Sequence, residues 1–305
     1  MGLQRPVAAT LFGLRRINRC ATRPDLRLGP ASAPDETRTR AAGENIPTES
    51  VNFTNTAARR EFTVASYNIH LGIGRDGHLK PQRIAAVIKE LRADIVALQE
   101  VALGAPGFNM LEYLGRACGM SAIAGPTLVT PHGEYGNAIL THCRATEVRR
   151  LDLNVARREP RGALDVEFDC DGQRLRLIAT HLGLRPAERR EQIRRLLRSM
   201  RNARPTPTVL IGDLNEWFLW GRPVRWLRRH FKHTPAPPTF PAGWPLFALD
   251  RVWVNPREAL RRVAVHASAL ARIASDHLPL TAVLELGPAS EAYANGASLV
   301  SSNPS

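Results

Sequence analysis

The pattern of apolar and polar positions predicts a chain built mainly of strands. Residues 62–69 alternate like a half-buried strand, and residues 94–101 (DIVALQEV) form the short apolar run of a central strand. Apolar positions recur at helical spacing in residues 82–91 and 186–200, which predicts two helices. Further strand-like segments cover residues 137–141, 163–168, 175–180, 208–211, 250–254, 263–265 and 280–286. Several of these strands lie too close together for helical crossovers, so we expect an α/β (α+β) fold with mixed or antiparallel sheets.

Both ends of the chain differ from this pattern. Residues 1–60 contain Pro, Ala, Thr, Arg and Glu without a sustained apolar period, which predicts a disordered, basic N-terminal tail before a domain at 61–287. Residues 288–305 predict a disordered C-terminal tail. The first apolar stretch is too short and interrupted for a signal peptide, so we expect a cytoplasmic protein, with a transit-like N-terminus as the open alternative.

The overall charge adds a preference for anionic partners. Among 305 residues, 42 are basic and 28 acidic, which gives a formal net charge of +14. Such a surface attracts nucleic acid, anionic lipid or phosphorylated substrates without choosing among them. Since 44% of the residues are hydrophobic, the chain can bury a core, yet no apolar stretch approaches the ~20 residues of a membrane-spanning helix.

The four cysteines show neither a CxxC pair nor a spacing suited to zinc. We interpret them as scattered thiols of a protein in a reducing compartment. They lie at Cys20, Cys118, Cys143 and Cys170.

Polar residues with metal-binding or acid–base chemistry lie at the ends of the apolar strands. They are Asn68, Glu100, His181, Asp213 with Asn215, Asp250, and Asp276 with His277. Carboxylates at the edge of a core need a counter-charge, and oxygen ligands without thiolate suit Mg²⁺, with Mn²⁺ as a substitute. Each residue alone has an ordinary explanation, as a turn residue, a solvated strand end or a structural histidine. Their order along the chain is what points to a common site.

The segments SYNIH, LQEV, ATHLG, GDLNEW, LDRVWV and SDHLPL resemble, in order and spacing, the endonuclease/exonuclease/phosphatase superfamily. The resemblance spans residues 61–287. It implies a DNase I-like, four-layer α/β sandwich in which two central mixed β-sheets are flanked by helices. It also implies a metal-dependent hydrolase of phosphoric esters, and we expect a monomer.

The resemblance assigns roles to the metal and substrate ligands. Glu100 is expected to be the principal metal ligand, with Asn68 beside it and Asp276 as a second acidic ligand. Arg161, in the segment EPRGAL, is expected to clamp the substrate phosphate bidentately.

The same resemblance assigns five catalytic residues. Asp213 is expected to orient or deprotonate the attacking water, and Asn215 to donate to a phosphate oxygen. His277 would contact the scissile phosphate while Asp250 fixes its tautomer, and His181 would donate to a non-bridging oxygen. No activated Ser or Cys accompanies the Asp–His pair, so direct attack by water is favoured over a covalent intermediate.

The ester itself is left open by the sequence. LQEV with ATHLG resembles the sphingomyelinase, phosphatase and tyrosyl-phosphodiesterase branch, which favours a Mg²⁺-dependent phosphodiesterase or phosphomonoesterase. The alternatives are a DNA or RNA nuclease of the same superfamily, and a nucleic-acid-binding or membrane-surface module without catalysis.

Residues 216–245 interleave aromatic residues with basic ones, and the aromatic residues include Trp217, Trp220, Trp226, Phe231, Phe240 and Trp244. One interpretation is a basic aromatic wall that stacks bases or binds lipid head groups. We favour the other, a core contribution with solvated arginines, because Val224, Leu227 and Phe231 have helical spacing. The same interpretation covers the eight arginines of residues 185–204, which together still produce a positive field.

Overall fold

The computed structural model of the chain describes residues 60–104, 107–130, 133–200 and 206–286. Its first strand begins at Arg60, one residue before the predicted start of the domain. The predicted tails, apart from Arg60, lie outside the described residues.

Eleven strands and five α-helices make up the described part of the chain. The strands are β1 (Arg60–Asn68), β2 (Ile95–Gly104), β3 (Ser121–Thr130), β4 (Gly133–Thr141), β5 (Arg144–Asp152), β6 (Gly162–Cys170), β7 (Gln173–His181), β8 (Thr208–Asp213), β9 (Asp250–Asn255), β10 (Leu260–Val265) and β11 (Leu280–Leu286). The helices are α1 (Pro81–Leu91), α2 (Met110–Cys118), α3 (Pro186–Met200), α4 (Arg222–Phe231) and α5 (Ala271–Ala274).

The strands form two mixed sheets, as the sequence predicts. One has the order β10-β11-β1-β2-β4-β3 and the other β5-β6-β7-β8-β9. Each contains one parallel pair, β1 with β2 and β7 with β8, among antiparallel neighbours. Parallel strands end at the same edge of a sheet, so each sheet brings together the C-terminal ends of two strands.

The helices cover the outer faces of the two sheets, which gives four layers. Phe62 and Val64 of β1 pack with Val209 of β8 in the core between the sheets. The alternate residue Tyr67 packs against α1 and α2, and Leu210 packs against α3 and α4. Since side chains of a strand alternate between its faces, one strand contributes to two cores. The predicted DNase I-like, four-layer α/β sandwich is confirmed.

Four elements were not predicted from the sequence: β3, β5, α2 and the short α5. Most positions of β5 are exposed, and arginines and a glutamate occupy several of them, as suits the edge of a sheet. The signals for α2 are local: Asn109 caps the first turn by accepting from the backbone N–H of Glu112, and Gly119 ends the helix with φ of 66°.

The interpretation of the cysteines as scattered thiols is wrong for two of them. Cys143 and Cys170 form a disulfide between the start of β5 and the end of β6, with their Cα atoms 4.8 Å apart. Antiparallel pairing of β5 with β6 brings together two residues that are 27 positions apart in sequence. This pairing removes the basis for expecting a reducing compartment. Cys118 has a free thiol, and Cys20 lies outside the described residues.

Candidate active site

The polar strand ends of the two sheets meet at one edge of the sandwich. Asn68 is the last residue of β1, His181 the last of β7 and Asp213 the last of β8. In the register of the second sheet, Asp213 is opposite both His181 on β7 and Asp250 on β9. The Asn68 amide nitrogen is 3.2 Å from Asp213 Oδ2 and so joins the two sheets at this point.

Glu100 reaches the site through a β-bulge rather than at a strand end. The prediction that this strand ends at Glu100 is wrong, because β2 continues to Gly104. The register with β4 shifts between Leu98 and Val101, so Glu100 is the extra residue and has φ of 56°. A bulge of this kind redirects a side chain. The Asn68 amide donates to Glu100 Oε1 over 3.1 Å.

The carboxylate of Asp213 is the centre of the cluster. Its Oδ1 accepts the backbone N–H of Asn215 over 2.8 Å, and its Oδ2 accepts from Asn68. The same Oδ2 lies 3.5 Å from His181 Nε2 and 3.8 Å from His277 Nε2. Burial raises the pKa of Asp213, and the nearby positive charge of His277 opposes this effect. The buried Asp213 carboxylate is therefore surrounded by a positively charged group, His277, and by neutral donors.

Gly212 allows the chain to place Asp213 and Asn215 together. Its φ of 144° suits glycine, and a Cβ at this position would overlap the carbonyl oxygen of Thr180 on β7. Asn215 has φ of 49°, and its amide nitrogen donates to the carbonyl oxygen of Leu182 over 2.8 Å. The step from Gly212 to Asn215 thus turns the chain so that both side chains lie beside His181.

We expect Gly212→Ala to lower the free energy of unfolding by about 3 kcal/mol, because backbone strain adds to the overlap with Thr180. Gly172→Ala is a matched control, since Gly172 also has positive φ (84°) but a Cβ there meets no atom within 4 Å. Urea denaturation of the two variants checks the prediction. Equal destabilisation would contradict the steric part of it.

His277 lies between two carboxylates. Its Nδ1 is 2.8 Å from Asp250 Oδ2, and its Nε2 faces Asp213. Burial lowers the pKa of His277, but the negative charges of Asp250 and Asp213 outweigh that effect and raise the pKa well above its ordinary value. At neutral pH His277 is therefore an imidazolium with a proton on each ring nitrogen, and Nδ1 donates to Asp250. Thr239 donates to the same Asp250 Oδ2 over 2.6 Å.

His181 has the opposite protonation. Its Nδ1 lies 3.0 Å from Nη1 of Arg161, and a guanidinium only donates, so Nδ1 accepts. Its Nε2 lies 3.0 Å from the amide nitrogen of Asn215. Burial, together with the positive charges of Arg161 and His277, keeps the pKa of His181 well below its ordinary value. Glu159 accepts from the Nη2 of Arg161 over 3.1 Å, while the buried Nε has no hydrogen-bond partner among the described residues.

Asp276 lies at the open side of the cluster. Its side chain is 39% exposed, and its Oδ1 is 3.3 Å from the hydroxyl of Ser275 and 4.0 Å from His70 Nδ1. The buried Ser275 hydroxyl also lies 2.8 Å from the Asn68 carbonyl oxygen. Together these contacts place all nine residues that the sequence singles out in one region.

The donor set suits a hard divalent cation. Glu100 and Asp276 supply carboxylates that are only partly buried, and neither is neutralised by a direct ion pair with Lys or Arg among the described residues. Asp213, Asp250 and His277 form a second group, whose potential ligand atoms lie within 4.8 Å of one another. The proton on His277 already compensates that group, so Glu100 and Asp276 fit a metal better. Asn68 directs its amide nitrogen at Glu100, which orients the carboxylate rather than adding a ligand.

Three residues of this region escaped the sequence-based prediction. Thr239 and Ser275 fix Asp250 and Asn68, and Glu159 pairs with Arg161. Ser275 precedes the Asp276–His277 pair directly and Glu159 lies in the segment EPRGAL, so a motif-centred search has a signal for both. Thr239 lies in a proline-rich segment without periodicity, and only the folded chain brings it to Asp250.

Comparison with known proteins identifies the family. Residues 65–277 match the Endonuclease/Exonuclease/phosphatase family. The chain belongs to this family. Its members are hydrolases that act on phosphoesters and generally depend on divalent metals, and the chain is assigned to that enzyme class.

One relative is similar to the chain in sequence, and two solved structures are similar to it in fold. The uncharacterized protein YbhP of Escherichia coli is 30% identical over 251 residues, and the match covers 74% of this chain and 96% of YbhP. The endonuclease/exonuclease/phosphatase of Beutenbergia cavernae is similar in fold, with a TM-score of 0.63, 24% identity, and coverage of 75% of this chain and 72% of that one. A mannosyl-6-phosphatase of Bacteroides thetaiotaomicron has a TM-score of 0.59 and 19% identity over 72% of this chain and 98% of its own.

Among the helices of the described residues, none has the length and apolar character to span a membrane.

Proposed function

We propose that the protein is a Mg²⁺-dependent phosphodiesterase that cleaves its substrate by direct attack of water. The observation that carries the proposal is the position of the Asp213 carboxylate, which lies within 4 Å of the amide of Asn68 and of ring nitrogens of both His181 and His277. The carboxylate that would take the proton of the attacking water thus lies among the side chains that would bind the substrate phosphate.

The chain's own residues divide the work of hydrolysis. Asp213 orients the attacking water and takes its proton, and Asn215 donates to a phosphate oxygen. His277, which Asp250 holds in its protonated form, donates to the scissile phosphate where negative charge develops. His181 and Arg161, which lie side by side, donate to the non-bridging oxygens.

Glu100 and Asp276 would hold the metal, and Asn68 orients Glu100. The ion would supply Lewis acidity at a phosphate oxygen and stabilise the leaving group. Mn²⁺, which prefers similar oxygen ligands, is expected to replace Mg²⁺.

Direct attack by water is favoured because the hydroxyls in this region are engaged elsewhere. Thr239 donates to Asp250, and the buried Ser275 hydroxyl lies within hydrogen-bond distance of the Asn68 carbonyl. Among the described residues, neither hydroxyl hydrogen-bonds to a histidine ring nitrogen, the base that activates the serine of a Ser–His pair in a covalent mechanism.

The charge of the site favours a diester over a monoester. The region holds more carboxylates than cations: Glu100, Glu159, Asp213, Asp250 and Asp276 against Arg161 and His277. One divalent metal leaves a net negative charge. A diester brings one negative charge and a monoester about two at neutral pH, so the monoester meets greater repulsion.

The test is hydrolysis of bis-p-nitrophenyl phosphate and of p-nitrophenyl phosphate by the full chain, with Mg²⁺, with Mn²⁺ and with EDTA. We expect turnover of the diester that needs either metal, and a kcat/KM at least about tenfold lower for the monoester. Turnover that persists in EDTA would refute the metal requirement. A preference for the monoester would refute the diester assignment.

A further inference from the structure

Six large apolar side chains are displayed on two loops beside the active site. The apolar rim consists of Trp217, Phe218, Leu219 and Trp220 after β8, and Trp244 and Leu246 before β9. Trp220 is 70% exposed, Leu246 72% and Trp244 83%. The expectation that these tryptophans belong to the core is wrong for Trp217, Trp220 and Trp244, although it is right for Val224, Leu227 and Phe231 of α4. A contiguous exposed apolar patch marks an interaction surface.

The apolar rim is connected to the catalytic cluster through packed rings. Phe240 lies 4.8 Å from the ring of His277, and Trp217 lies 6.0 Å from Phe240. The loop that carries Trp244 is tied to the same place, because the backbone N–H of Ala242 donates to the carbonyl oxygen of Asp276 over 2.7 Å. A molecule that contacts the apolar rim would therefore lie next to His277, where the substrate phosphate is proposed to react.

Buried ionic contacts hold both loops. Arg251 is 2% exposed, and it donates to the carbonyl oxygens of Glu216 and of Ala248, each over 2.9 Å. Arg189 is equally buried and pairs with the Glu216 carboxylate over 3.2 Å, so the expectation of solvated arginines in α3 is wrong for this residue. Buried charged side chains thus hold in place the two loops that carry the apolar rim.

The surroundings of the rim are basic. Arg222 and Arg225 are exposed and follow it directly in α4, and the guanidinium of Arg75 lies against Gly243 in the second loop. Residues 217–249 contain no acidic residue, and the whole chain has a net charge of +14. Aromatic rings beside cationic groups are the composition that binds the headgroup region of an anionic bilayer.

The two leucines of the apolar rim favour lipid over nucleic acid as its ligand. Bases stack on aromatic rings, but Leu219 and Leu246 offer no ring for stacking. Acyl chains accept aliphatic and aromatic side chains equally well. We propose that the apolar rim docks the protein on an anionic phospholipid surface and that the scissile phosphodiester belongs to a lipid headgroup. The second part rests on the proposed phosphodiesterase function.

The step is ordinary hydrolysis of a phosphodiester. The oxygen of water forms a new bond to phosphorus, one ester P–O bond breaks, and the leaving alcohol takes up a proton. The bilayer adds no reactant. It places the headgroup phosphate near His277, which the ring of Phe240 separates from Trp217 of the apolar rim.

The test compares the full wild-type chain with the double variant Trp220→Ala/Trp244→Ala, since neither side chain belongs to the catalytic cluster. Val148→Ala is the control, because Val148 is an apolar residue, 38% exposed, on the edge strand β5. Each protein is sedimented with phosphatidylglycerol vesicles and with phosphatidylcholine vesicles, and is assayed on phosphatidylglycerol and on bis-p-nitrophenyl phosphate. Binding of a DNA oligonucleotide is measured in parallel.

We expect the wild type and Val148→Ala to sediment with phosphatidylglycerol vesicles and to release the headgroup. The double variant is expected to bind these vesicles at least about tenfold more weakly and to lose lipid hydrolysis to the same degree, with turnover of the soluble diester unchanged. Arg222→Glu is expected to weaken vesicle binding about fivefold or more.

Two sedimentation results would overturn the proposal: no sedimentation of the wild type, or equal sedimentation of the double variant and the wild type. If the double variant lost only its binding to DNA, the apolar rim would be a nucleic-acid surface, and the proposal would also be overturned. Vesicle binding with hydrolysis of the soluble diester but not of the lipid would overturn the substrate assignment. Failure of the wild type on the soluble diester would overturn the proposed function, which the sedimentation assay does not measure.

Discussion

Asp213→Asn is expected to lower kcat for a soluble phosphodiester by about three orders of magnitude while the chain stays folded. The amide cannot take the proton of the attacking water, and general-base catalysis contributes about 10²–10⁴-fold. In addition, the amide nitrogen would face the Asn68 amide, which now donates to Asp213 Oδ2 over 3.2 Å. Steady-state kinetics with saturating Mg²⁺ measure the loss, and thermal unfolding measures the fold.

The control for this variant is Asp171→Asn. Asp171 is exposed in the turn before β7, at the opposite end of that strand from His181, and its φ of 55° is one that Asn also adopts. This control is expected to keep wild-type turnover. If Asp213→Asn retained more than about a tenth of wild-type kcat, Asp213 would not be the group that activates water.

Glu100→Gln is expected to weaken Mg²⁺ and Mn²⁺ binding and to lower activity, each by more than about a hundredfold. Loss of a residue that only supports a ligand costs about 10–100-fold, and the carboxylate of Glu100 is proposed to contact the ion itself. Calorimetric titration with Mn²⁺ measures binding without reference to turnover. The fold should survive because the amide can still accept from Asn68, as Glu100 Oε1 does over 3.1 Å.

Glu112→Gln is the matched control for the metal prediction, since Glu112 is exposed on α2 and pairs with Arg116. It is expected to titrate like the wild type. Unchanged Mn²⁺ affinity in Glu100→Gln would remove Glu100 from the metal site. It would leave the group of Asp213, Asp250 and His277 as the remaining candidate.

The strand ends were predictable because the rules that govern them are local. An apolar run that closes on a polar residue marks Asn68, His181 and Asp213 in the sequence, and each of them ends a strand in the structure. The edge at which they meet follows from parallel pairing. The roles of these side chains are still predictions, which the variants above test.

Other features depend on contacts that no local pattern encodes. The bulge at Glu100 arises from the register of β2 against β4, and the pairing of Cys143 with Cys170 arises from the register of β5 against β6. Helical spacing correctly predicted the buried face of α4, but Trp217 and Trp220 precede the helix, where spacing has no meaning. The exposure of these two tryptophans depends on the buried hydrogen bonds of Glu216, which connect residues that are distant in sequence.

The most direct test of the mechanism is the stereochemical course of hydrolysis at phosphorus. The full chain would hydrolyse an aryl phosphorothioate diester of known configuration at phosphorus in water enriched in ¹⁸O, and the configuration of the product would be determined. A single in-line attack by water predicts inversion. Retention would require two displacements through a covalent intermediate, and it would contradict direct attack by water on the substrate.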